Sequence, residues 1–99
     1  MAAINQYLTV WDAAEDRDAP TYVRMRVHLM FDIMLHIQQN NITVPEVMKL
    51  LETSQGRVSQ LLAGKIQLFS LDALSQFADK LGIKHKLITG KKYLGNDTD

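Results

Sequence analysis

The chain has 99 residues, 46% of them hydrophobic, no cysteine and a formal net charge of zero. That length makes one domain with a modest core, and the missing cysteine excludes disulfides and thiolate metal sites. No apolar run approaches the roughly 18 residues of a membrane span. The start, "MAAINQYLTV", lacks the basic flank and apolar stretch of a signal peptide, so a cytoplasmic location with no membrane partner is expected.

Zero net charge argues at first against a nucleic-acid partner, but the charge is uneven. Residues 1 to 20 hold Asp12, Glu15, Asp16 and Asp18 against Arg17 alone, a balance of −3. The rest carries +3, or +5 when the tail acids Asp97 and Asp99 are left off. An acidic leader on a mildly basic body is compatible with DNA binding and equally with a solvated mixed surface.

In "TVWDAAEDRDAP" Thr9 can cap a short helix with Asp12 three residues on, and Pro20 closes the segment. Asp12, Glu15 and Asp16 would share a face, which reads more simply as a solvated helix edge than as paired catalytic acids. From residue 22 to about 39, Val23, Val27, Met30, Met34 and Ile37 follow the spacing of one buried helical stripe. Leu29, Phe31, Ile33 and Leu35 widen that stripe. A helix this apolar either crosses the middle of the core or also meets a second chain. His28 and His36 on it stand about 12 Å apart along the axis, too far to share a metal, and no cofactor or metal is expected.

Thr43 with Glu46 forms a capping box, and Pro45 is tolerated in the first turn of the helix 44–51, whose stripe is Val44, Val47, Met48 and Leu51. Ser54 can cap the next helix, "QGRVSQLL", and Gly64 stands where a left-handed helix end is wanted. Ser70 caps a further helix with Leu71, Leu74, Ala78 and Leu81 as its stripe. Phe69 can staple onto Leu74, and Gly82 ends the element. "IKHKLIT" alternates as one short strand, and residues 90–99 read as a polar tail. A lone strand needs a partner for its backbone groups, most simply a copy of itself across a two-fold dimer.

Two short helices joined by a tight turn have the size of a helix-turn-helix, whose second helix enters the major groove. Val58, Leu61 and Leu62 would anchor that helix while Gln55, Arg57, Ser59 and Gln60 face out. Gln can bond adenine's donor and acceptor together, and Arg can do the same to guanine's two acceptors. Gly56 removes bulk where the backbone can approach a phosphate. An ordinary amphipathic helix would also turn a polar face to water.

The run from about residue 25 to 89 resembles the lambda-repressor/Cro class of helix-turn-helix domains (XRE-type regulators), and within it the HigA-like antitoxin and regulator branch. "TVPEVMKLLETSQGRVSQLLAGK", "FSLDALSQFADKLGI" and "VWDAAED" carry the resemblance. It implies an all-α fold, a bundle of four to five helices with a short C-terminal strand. The expected division is a leader over 1–20, a DNA-binding domain with a dimerisation strand over 21–89, and a tail over 90–99. The implied function is a dimeric, sequence-specific transcriptional repressor on a palindromic operator of double-stranded DNA; no enzymatic activity is expected, since no Gly-rich phosphate loop, G-x-S-x-G or metal-ligand cluster occurs in the sequence. The resemblance further implies an antitoxin that autoregulates its operon and binds a RelE-like toxin. The alternative is a protein-interaction module that neutralises a ribonuclease toxin, with DNA binding secondary and the leader, with Tyr7 and Trp11, as the contact surface.

The DNA-binding set expected from motif and resemblance is Thr43, Ser54, Gln55, Gly56, Arg57, Ser59, Gln60, Lys65 and Ser70, with Gly64-Lys65 as a basic loop meeting the backbone. Three positions depart from the branch. Val44 replaces a common phosphate-touching Gln, and Val47 a small residue where the two helices pack. Glu52 replaces the turn's usual Gly; a left-handed Glu costs on the order of 1 kcal/mol, which allows a reshaped turn.

Overall fold

A computed structural model describes residues 7–83. Five α-helices are seen among them: α1 (Val10–Glu15), α2 (Thr21–Gln39), α3 (Val44–Leu51), α4 (Gln55–Leu62) and α5 (Leu71–Lys80), with a 3₁₀ turn, Ile66–Leu68, between the last two. No strand occurs among the described residues; the strand expected at 84–89 and the tail after it lie outside them.

Local chemistry starts each short helix where the sequence places it. Thr9 and Asp12 exchange hydrogen bonds in a capping box at α1, and Thr43 and Glu46 do so at α3. Ser54 and Ser70 accept from the amides of Arg57 and Ala73 at the heads of α4 and α5. Four helix ends close alike, with one left-handed residue, Asn41, Glu52, Gly64 or Gly82. The amide after each bonds a carbonyl five residues back, such as Lys65 to Gln60 at 3.1 Å and Ile83 to Ala78 at 2.9 Å, a Schellman closure.

The α2 helix runs through the middle of the domain and touches α1, α4, α5 and the 3₁₀ turn. Val23, Val27, Leu29, Met30, Ile33 and Ile37 are buried on it, so most of its surplus apolar width serves this chain's own core. Leu35 remains 49% exposed. Both sides of α2 can be apolar because helices pack on both, and removing that area from water is the main stabilising term.

The leader is built into this core. Tyr7, Val10, Ala13 and Ala19 are buried, and Trp11 meets Phe31 of α2 edge-on at 6.3 Å between ring centroids. Tyr7 donates its hydroxyl hydrogen to Asp16, which also accepts from the Asp18 amide at 2.9 Å. Two of the leader acids therefore have structural work, Asp12 in the cap and Asp16 as the acceptor for Tyr7.

Candidate nucleic-acid interface

Each helix of the α3–α4 pair presents an apolar stripe to the core and leaves most of its polar side chains outside. Val47 and Leu51 of α3 and Val58 and Leu61 of α4 are buried. Val47, bulkier than the residue expected there, is accommodated with no surface exposed. Val44, which replaces the branch's phosphate-touching Gln, is half-buried against the core.

The turn is not reshaped. Glu52 adopts the left-handed conformation itself, at φ 55° and ψ 49°. The Thr53 amide still reaches the Met48 carbonyl at 3.1 Å. Lys80 of α5 braces this corner, donating to the Leu51 carbonyl at 3.4 Å and lying 3.9 Å from the Glu52 carboxylate. A cation at the end of α3 also suits the negative end of its dipole.

Along α4, Gln55, Gly56, Ser59 and Gln60 are exposed. Gly56 has a negative φ and nothing within 4 Å of where a Cβ would stand, so nothing inside the described fold requires a glycine there. Thr43, Ser54 and Ser70 are also exposed, although each hydroxyl accepts a capping bond. Lys65 is exposed just past the left-handed Gly64.

Arg57 differs from its neighbours. It is half-buried, its guanidinium carbon sits 3.9 Å from the centroid of the Phe69 ring, and Nη1 donates to Gln60 Oε1 at 3.4 Å. Phe69 was read from sequence only as a hydrophobic staple. Its contact with Arg57 joins the head of α4 to the residue before the α5 cap, a relation with no local sequence signature.

Gly64 is the other junction that sequence reading missed. Its carbonyl accepts from the Val10 amide at 2.6 Å, and the Trp11 ring lies against its Cα, where a Cβ would come within 2.6 Å. Thus α1 closes over the end of α4, beside Lys65.

A polar-faced second helix, an intact turn and a buried anchor stripe are the parts of a DNA-reading motif. A family model described as a helix-turn-helix domain matches residues 13–87. The chain belongs to this helix-turn-helix domain family. Neither a curated protein nor a solved structure was found to match it. The match spans α2 to α5 and begins inside α1. Such a domain is a DNA-binding one.

Among the described residues no helix is long and apolar enough to cross a membrane. No group of His, Asp and Glu in them could hold a metal ion.

Proposed function

We propose that this helix-turn-helix domain is a sequence-specific transcriptional regulator of the lambda-repressor/Cro class that represses by occupying an operator. The observation that carries the reading is the division of α4, with Val58 and Leu61 buried and Gln55, Ser59 and Gln60 exposed at the surface. Arg57 stands among them with its guanidinium near the surface, able to address guanine or a phosphate. Thr43, Ser54, Lys65 and Ser70 flank the helix and supply the backbone contacts that set its register.

A single eight-residue helix reads only a few base pairs, so useful specificity calls for two copies on a palindrome, about 34 Å or one DNA turn apart. The partner copy would join through the segment 84–89 and the exposed Leu35 of α2. Selection of binding sites from a random DNA pool tests the reading: a palindromic motif is expected, and recovery of no motif overturns it. Light scattering at micromolar concentration tests the dimer, which a monomer mass persisting with DNA would remove.

A second role as the antitoxin of an autoregulated operon has one observation in its favour. Tyr7, expected on this surface, is buried, but Leu8 and Trp11 are 62% and 48% exposed, beside Asp12 and Glu15, an apolar and acidic surface suited to a basic ribonuclease of RelE type. If toxin neutralisation were the main activity, no DNA motif would be selected while a toxin encoded beside this gene would bind tightly.

A further inference from the structure

We propose that Phe69 is a positioning residue for Arg57, holding its guanidinium in reading orientation before DNA arrives. This rests on the reading of α4 as the DNA-contacting helix and names a residue of its specificity that never touches DNA.

The platform is buried and packed. Phe69 is only 1% exposed, and Phe77 packs edge-on against it at 6.1 Å and 65°. Its backbone amide is tied to the Ile66 carbonyl at 3.2 Å, and Ile66 is itself buried. One face of the ring is left for Arg57. A centroid distance of 3.9 Å is van der Waals contact and lies well inside the roughly 6 Å range of cation–π attraction.

The stack leaves the reading chemistry free. A guanidinium stacks through its flat faces, whereas its five N–H donors lie in its plane. The guanidinium carbon lies 3.9 Å from the Phe69 ring centroid, and a face-on stack at that distance occupies no donor. The Gln60 carbonyl takes one donor through a long 3.4 Å bond. Among the described residues no carboxylate lies within ion-pair distance of Arg57, so none of them competes for its edge. The remaining donors can address two adjacent acceptors, as a guanine edge or a phosphate presents them. An arginine on a flexible stem loses rotamer freedom when it binds. Here Phe69 and Gln60 have already restricted it.

The simpler possibility is that Arg57 covers the Phe69 ring and does nothing more. A binding cycle separates the two. Operator affinity is measured for wild type, Phe69→Leu, Arg57→Ala and the double variant, at a temperature where all are folded. Phe69→Leu is expected to weaken operator binding roughly two- to tenfold, the scale of re-ordering one long side chain, and to have no further effect once Arg57 is alanine. Phe77→Leu, which loosens the core beneath but leaves the Phe69 face, should bind as wild type does. Equal losses from Phe69→Leu with and without Arg57 would overturn the proposal.

A measurement on the free wild-type protein keeps the test independent of how well the variants fold. The Arg57 side-chain Nε–H vector should show an NMR order parameter near that of rigid backbone, about 0.85. A value below about 0.6, typical of a flexible group, overturns the stack itself. Failure of the wild type to select any DNA motif would overturn the DNA reading along with the proposal. A selected motif with an unchanged Phe69→Leu affinity would overturn the proposal alone.

Discussion

The amide of Val10 donates to the carbonyl of Gly64 across 2.6 Å, which fastens the first described helix onto the end of α4. The contact is possible because Gly64 has no side chain. At φ +69° a Cβ would be strained, and it would lie 2.6 Å from the Trp11 ring and 2.9 Å from Val10 Cγ1.

Gly64→Ala should therefore destabilise the fold by about 3 kcal/mol, from left-handed strain of roughly 1–2 kcal/mol and overpacking of about 1–3 kcal/mol. Gly82 is also left-handed, at φ +79°, but a Cβ there meets nothing within 4 Å. Gly82→Ala should cost only the strain. Urea unfolding of the two variants checks the difference, and equal losses would show that α1 does not constrain Gly64.

Gly56 behaves in the opposite sense. A glycine inside a helix costs roughly 0.5–1 kcal/mol relative to alanine, and there is room for a Cβ. Gly56→Ala should raise the stability of the free domain by a few tenths to about 1 kcal/mol and weaken DNA binding. Thermal unfolding and operator titration together test this; unchanged binding would mean that no phosphate approaches the backbone there.

Glu52 is the one long side chain in a left-handed position at the turn. Glu52→Gly should stabilise the domain by about 1 kcal/mol. The loss of its ion pair with Lys80 offsets little, since the Glu52 side chain is 77% exposed and such pairs contribute about 0–1 kcal/mol. A fall in the urea midpoint would show that the ion pair outweighs the strain.

Lys65 is exposed three residues past the end of α4 and tests the backbone contacts. Lys65→Ala should weaken binding to all DNA sequences alike and reduce the salt slope of binding by about one unit per subunit. An unchanged slope removes Lys65 from the interface.

Stability should depend on pH through Tyr7 and Asp16. The Tyr7 hydroxyl, then the Asp18 amide, hold the Asp16 carboxyl below its ordinary range, against a smaller opposing effect of desolvation. The hydrogen bond to Asp16, burial and the nearby negative charge raise the Tyr7 pKa above 10.0. Asp16 thus adds stability above its unfolded pKa, lost as pH falls through the lower folded value. Tyr7 adds stability below pH 10, lost as pH rises through the higher folded value. In an NMR titration, Tyr7→Phe should return the Asp16 midpoint towards 3.8. An unmoved midpoint would show that the hydroxyl does not bond the carboxylate.

Helix starts and ends were legible because they depend on neighbours in sequence. Thr43 and Glu46 are three residues apart whatever surrounds them, and a small residue such as Gly64 marks a left-handed end by its own conformational freedom. The buried stripe of α2 and the Val58 and Leu61 anchor of α4 follow from the 3.6-residue period alone. Other features were decided only by the packing of distant segments. Glu52 gave a local reason for a reshaped turn, yet α3, α4 and the Lys80 brace hold it left-handed. The surplus apolar face of α2 could have served a second chain, and α1 and α5 were found to use most of it. Arg57 lies twelve residues from Phe69, and Val10 lies fifty-four from Gly64. Neither pairing has a sequence period, because each exists only where two elements meet after the core has set their positions.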